Sequence, residues 1–148
     1  MLKTKEEIEK WLIKMRVEDF IINDDLTVDV DGSVYLGYRR LSEIPVQFGK
    51  IKGSFTCQHN QLKSLKGCPK YVKGGFWCYK NQLESLKYCP EWVGEDFGCD
   101  DNQLKNLDYY PEHVGRGFVS DIGQFSKEEY KQFVKLQKRK EKLNNLKI

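Results

Sequence analysis

An α/β repeat solenoid, with a parallel β-sheet along one side and a helix closing each end, is the fold class that this 148-residue sequence predicts. The first observation behind it is one phrase written three times: Phe55-x-Cys57-x-x-Asn60-Gln61-Leu62-x-Ser64-Leu65, Phe76-x-Cys78-x-x-Asn81-Gln82-Leu83-x-Ser85-Leu86 and Phe97-x-Cys99-x-x-Asn102-Gln103-Leu104-x-Asn106-Leu107. The second is the period of 21 residues without insertion, shared by Ile51, Val72, Val93 and Val114 and by Cys68-Pro69, Cys89-Pro90 and Tyr110-Pro111. A fixed period of this length marks stacked units, each too small to bury its own apolar face. The third is a helix-start signature on either side of the repeats, Thr4-Lys-Glu-Glu7 and Ser126-Lys-Glu-Glu129, each matching a capping box.

One domain is expected over 1–148, in three parts: an N-terminal helical cap over 1–25, a hairpin and repeat coils over 26–123, and a C-terminal capping helix with a basic tail over 124–148. In the first part Ile8, Trp11, Leu12 and Met15 fall at helical spacing. A hairpin turning at Asp31-Gly32 is expected to join this helix to the coils. A degenerate coil follows, in which Val34, Leu36, Leu41, Ile44 and Ile51 keep the repeat spacing, and Phe118 opens a truncated last one. Within each coil, Phe-x-Cys alternates as a short strand with both residues inward. Asn60, Asn81 and Asn102 are placed to satisfy the backbone leaving that strand, since each amide offers two donors and two acceptors. Arg39 holds the slot in the first coil, so the ladder is not expected to reach it. At the C-terminal end Phe125 and Tyr130 are spaced as a hydrophobic staple, Tyr130, Phe133 and Val134 face the last coil, and the Lys-rich helix is expected to fray beyond Leu136.

Composition supports a soluble globular chain, at 39% hydrophobic and 32% charged residues. No run approaches the ~18 apolar residues of a membrane span, and the start lacks the apolar core of a signal peptide. With an odd count of five cysteines, a reduced, cytoplasmic setting is expected. The net charge of +3 conceals three blocks: basic over 51–88, acidic over 89–123 and basic again over 124–148. A two-signed surface orients a charged partner and speeds encounter.

The phrase Phe-x-Cys-x-x-Asn-x-Leu resembles LxLxxNxL of leucine-rich repeats, with Phe and Cys in place of the first two leucines. The 21-residue length and the Pro-containing return stretch resemble the short bacterial type. Together with Val28-Asp-Val-Asp-Gly-Ser-Val34, the chain is similar over roughly 26–123 to small, functionally unassigned repeat proteins of large-genome bacteriophages. The family places an apolar residue eight before the Asn, where this chain has Lys52, Lys73 and Gly94. The return loop is therefore expected to gain a residue before the strand, using Gly53 and Gly74 at positive φ.

No catalytic set emerges: there is no nucleophile–His–acid constellation, carboxylate dyad or phosphate loop, and the chain is not expected to be an enzyme or to hold a cofactor or metal. Stacked cysteines lie ~4.8 Å apart, too far for one zinc with Zn–S ~2.3 Å to take three and wider than the ~3.8 Å Cβ separation of a disulfide. Cys57, Cys78, Cys99, Cys68 and Cys89 are assigned to the core. His113 aligns with Tyr71 and Trp92 in the return stretch. The candidate partner-binding residues lie on the sheet face that stacking leaves free: Tyr35, Tyr38, Thr56, Gln58, His59, Trp77, Tyr79, Lys80, Asp100, Asp101 and Asp121. Trp77 and Tyr79 occupy outward slots where other coils carry Thr, Gly or Asp, as anchors of a binding surface do; lateral packing over neighbouring strands is the alternative.

The expected function is a binding module that reads a partner protein. The phage resemblance implies a host factor or host defence as that partner, and the host cytoplasm as the location. Two alternatives stand beside it: a small nucleotide stacked on the aromatics and sequestered, and nucleic acid held by the basic C-terminal helix, which the adjoining acidic block disfavours. The spacing is silent on oligomeric state.

Overall fold

A computed structural model describes residues 1–147. Helix α1 (Lys5–Lys14) and strand β1 (Phe20–Ile22) open the chain. Ten short strands then wind a solenoid, β2 (Thr27–Val30), β3 (Val34–Tyr35), β4 (Gln47–Ile51), β5 (Phe55–Thr56), β6 (Tyr71–Val72), β7 (Phe76–Trp77), β8 (Trp92–Val93), β9 (Phe97–Gly98), β10 (His113–Val114) and β11 (Phe118–Val119). Strand β12 (Gln124–Phe125) and helix α2 (Lys127–Leu146) close it.

Successive coils pair in parallel at the sequence period, so that Phe55 lies opposite Phe76, Phe76 opposite Phe97 and Phe97 opposite Phe118. Two sheets result rather than one. The first runs β12-β11-β9-β7-β5-β3, and the second runs β1-β2-β4-β6-β8-β10. The second sheet explains the displaced apolar residue of each return stretch. Ile51, Val72, Val93 and Val114 alternate with Lys50, Tyr71, Trp92 and His113 on real strands, the β-branched aliphatics in, and Lys50 and the three aromatics out. The expected extra loop residue is thus a pleated strand. Gly53 and Gly74 do not adopt positive φ. They are required because a Cβ would lie 2.7 Å from Gly32 O and 2.9 Å from Gly53 O, in the coil below.

The core is a column of aromatic rings. Phe48 packs edge-on against Phe55, and Phe55, Phe76, Phe97 and Phe118 stack face to face at 5.0–5.7 Å. Beside it run the cysteine column and the Leu62/Leu83/Leu104 and Val72/Val93/Val114 columns, all buried. Tyr130 of α2 adds the last rung, 5.0 Å from Phe118, with its hydroxyl donating to Pro111 O at 2.7 Å. A buried phenol keeps a hydrogen-bond partner while its ring extends the stack.

Both capping boxes are present. Thr4 Oγ1 accepts from Glu7 N and Glu7 Oε2 from Thr4 N; Ser126 Oγ accepts from Glu129 N and Glu129 Oε2 from Ser126 N. Ile8, Leu12 and Met15 bury one face of α1. The hairpin at this end differs from expectation. It pairs β1 with β2 and turns at 23–26, where Leu26 takes φ 67° and Asn23 N donates to Thr27 O. Asp31-Gly32 is a corner of the first coil, since Gly32 O and Val30 O accept from Gly53 N and Lys52 N of the next. Helix α2 continues past Leu136 to Leu146, mostly through Leu, Gln, Lys, Arg and Glu, which are strong helix formers.

Phe76 contacts rings above and below, so Phe76→Ala is expected to lower stability by about 3–5 kcal/mol. Exposed Glu84→Ala should change it by less than about 0.5 kcal/mol. Urea melts of the two variants check the stacking register, and equal midpoints would refute it.

Candidate functional site

Each coil leaves the first sheet through the same corner, which positions the exposed residues beside it. Asn60 Nδ2 donates to Cys57 O of its own coil and to Leu36 O of the coil before, while Oδ1 accepts from Arg39 N and Leu41 N. Asn81 and Asn102 repeat the pattern, bridging Cys78 O to Cys57 O and Cys99 O to Cys78 O. The ladder starts at Asn60, and Arg39 instead donates to Met15 O at the end of α1. At the far end a carboxylate ends the ladder: Asp121 accepts from Asp101 N at 2.7 Å and Asn102 N at 2.9 Å.

The residue before each ladder position is left-handed: Tyr38, His59, Lys80 and Asp101 have φ between 51° and 58°. This conformation costs an L-residue roughly 1–2 kcal/mol, tolerated at His59, Lys80 and Asp101 because the asparagine that follows holds the corner. It turns these four side chains onto one rim. A second left-handed row, Gly67, Tyr88 and Tyr109, precedes the Cys/Tyr-Pro step.

On the rim and the adjoining sheet face the aromatic residues meet. Tyr38 stacks on His59 at 4.1 Å, His59 meets Tyr79 edge-on at 5.5 Å, and Tyr79 meets Trp77 edge-on at 6.5 Å. Tyr35 and Tyr38 are 66% and 67% exposed. Trp77 and Tyr79 are half-buried, and Trp77 does pack laterally: its indole lies where a Cβ on Gly75 or Gly98 would sit. Gln58 likewise covers Gly37, and its Oε1 is buried without a hydrogen-bond partner. Thr56 pairs in register with Trp77, which in turn pairs with Gly98. Burial pushes the Tyr79 phenol up, aided by Tyr38 and Asp100, so it remains a neutral donor at physiological pH.

Asp100, Asp101 and Asp121 lie together at the C-terminal end of the face, and Lys80 stands one coil before Asp101 on the rim. The face therefore passes from aromatic to acidic. Sequence reasoning listed the outward residues but missed their platforms, Gly37, Gly75 and Gly98. The signal was present in the absence of side chains beside the bulky ones.

A second aromatic row runs along the other sheet. Tyr71, Trp92 and His113 stack at 4.6 and 4.8 Å with planes within 11°. Their alignment was legible, but their pairing needed the second sheet. Burial lowers the His113 pKa, with Lys127 and Lys131 of α2 acting in the same sense, so this imidazole is neutral at pH 7.

All five cysteines are free. Among the described residues no group of three His, Cys, Asp or Glu side chains is placed to hold a metal ion, and no helix is long and apolar enough to cross a membrane. Burial pushes the Cys68, Cys78, Cys89 and Cys99 thiols well above their ordinary range. Fold and surface together define a β-solenoid with one aromatic-to-acidic face. The chain matches no protein-family model, no curated protein and no solved structure.

Two expected outcomes follow from this geometry. Lys80→Gly relieves a left-handed residue and should raise stability by up to about 1 kcal/mol, whereas β-branched Lys80→Val should lower it by about 1–2 kcal/mol; thermal melts that rank the pair the other way would refute the rim conformation. The buried thiols keep their protons in the native state while the unfolded chain releases them above about pH 8.5. Stability should therefore be at its full value below that pH and fall as pH rises beyond it. Urea midpoints at pH 7 and about pH 9.5 measure the slope, which should be shallower in a Cys78→Ala/Cys99→Ala variant.

Proposed function

We propose that the chain is a non-catalytic binding module that recognises a partner protein through the outward face of the first sheet. The observation that carries this reading is the unbroken ring contact Tyr38–His59–Tyr79–Trp77, laid across neighbouring coils with Tyr35 and Tyr38 two-thirds exposed. Stacking of the coils requires none of these rings outward, since Phe55, Phe76 and Cys78 fill the interior. Pre-positioned aromatic side chains with few rotatable bonds are the residues that dominate protein interfaces. The neighbouring carboxylates of Asp100 and Asp101 suit a partner that places a basic residue at that end. On the resemblance of the Phe-x-Cys-x-x-Asn phrase to the short leucine-rich repeats of bacteriophage proteins, the partner is a host protein, met in the host cytoplasm.

Trp77→Ala with Tyr79→Ala should leave the chain folded, because both side chains lie outside the core column, and should abolish capture of the partner from the natural host's lysate. Truncation after Leu136 should leave capture intact. Melting temperature and quantitative pull-down of both variants provide the test. Normal capture by the double variant would remove the sheet face from consideration, and a nucleotide retained in native mass spectra only by the unmutated face would move the reading to a small ligand.

A further inference from the structure

Helix α2 contains 20 residues, but only its first half packs on the solenoid, through Tyr130, Phe133 and Val134. Beyond it the side chains that would continue this face are Glu141, Asn144 and Asn145, all exposed. The apolar residues move to another side. Leu136, Leu143 and Leu146 are 54%, 59% and 82% exposed, whereas Leu62, Leu65, Leu83, Leu86 and Leu104 of the coils are buried.

Their spacing is informative. Gln132, Leu136, Arg139, Leu143 and Leu146 follow one another at intervals of four, three, four and three, the a/d seam of a heptad with Leu136 and Leu143 at a and Leu146 at d. On the same assignment Lys135 and Lys142 fall at g, and Lys140 and Lys147 at e. From Leu136 onward every flanking position of the seam is thus a lysine. Lys138 and Lys131, off the seam, pair with Glu112 and Glu128 at 3.8 and 3.5 Å.

We propose that the projecting half of α2 is a docking helix for an acidic amphipathic helix of another protein, with leucines at a and d and glutamates at e and g. Charge selects this occupant. In a coiled coil the e and g residues face those of the partner strand, so a second parallel copy of α2 would set lysine against lysine, whereas glutamates at those positions would pair with them. The width of the stripe selects it as well. A strict a/d stripe is the narrow seam of a coiled coil, narrower than the apolar face of a helix lying in a membrane interface, and Arg139 sits on its midline. Nucleic acid would engage the lysines but leave the leucines without a use. This site is independent of the aromatic sheet face, and neither reading requires the other.

The test titrates the full chain against a labelled three-heptad peptide with Leu at a and d and Glu at e and g, read by fluorescence anisotropy. Saturable binding is expected, at least about tenfold weaker when salt rises from about 0.05 to about 0.5 M. Leu136→Gln with Leu143→Gln should weaken it by a further factor of about ten or more; glutamine keeps the helix, and an unchanged melting temperature confirms folding. A peptide with Lys at e and g should not bind. The proposal is overturned by absent binding, by equal affinity of the double variant, or by equal binding of the Lys peptide. It is equally overturned if the peptide fails while anionic vesicles sediment the chain, or if the leucines instead drive a concentration-dependent dimer in sedimentation velocity.

Discussion

Once per coil the backbone must leave the first sheet through a corner where strand pairing stops, and an asparagine carboxamide completes the hydrogen bonding there. One side chain serves two coils, donating to carbonyls on both and accepting from amides of the coil before. Buried backbone groups left unpaired cost about 1–3 kcal/mol each, so without this bridge the corner would open to water. The tight corner fixes the period, and the period sets every ring of the core over the next. It also forces the preceding residue into the left-handed region, which turns Tyr38, His59, Lys80 and Asp101 outward in a row. Structural necessity and surface display thus share one corner.

The two ends handle their exposed edges differently. At the start, β1 pairs antiparallel with β2 on the second sheet; at the finish, β12 pairs antiparallel with β11 on the first. Each antiparallel strand reverses the chain and protects an edge that parallel stacking alone would leave open to further pairing. The helices then cover the ends of the ring column, Trp11 against Phe48 at one end and Tyr130 against Phe118 at the other. Tyr130 ends the column chemically as well, because its hydroxyl is committed to Pro111 O.

Much of this was legible from residue spacing. The period, the inward Phe and Cys, the asparagine ladder, both capping boxes and the staple of Phe125 on Tyr130 all rest on local chemistry repeated at fixed intervals. What escaped was decided by contacts across coils. In the regular coils the second sheet is built from the two-residue strands β6, β8 and β10, too short for alternation to announce them. Gly53 and Gly74 suggested positive φ, the commonest reason for glycine, but here the neighbouring backbone passes too close for a Cβ. The left-handed rim escaped for the opposite reason, since Tyr, His, Lys and Asp occupy positions where glycine would have given the signal. At the candidate face, the outward residues followed from alternation, while the way Trp77 rests on Gly75 and Gly98 needed two neighbouring coils in view at once.

The identity of successive interfaces has a consequence for length. The surface that the coil of Phe76 presents to the coil of Phe97 is nearly the one that the coil of Phe55 presents to it, in ring stacking, in the amide bridge and in strand pairing. Nothing inside the solenoid counts its turns; the closing groups, Tyr130, β12 and the Asp121 carboxylate, decide where it stops. A duplication of one 21-residue unit would therefore move the closing helix one rung along and leave every existing contact in place. Each added rung would supply a fresh outward strand and a fresh rim residue, without asking any core residue to change. Such a chain lengthens its display surface by copying and diversifies it afterwards.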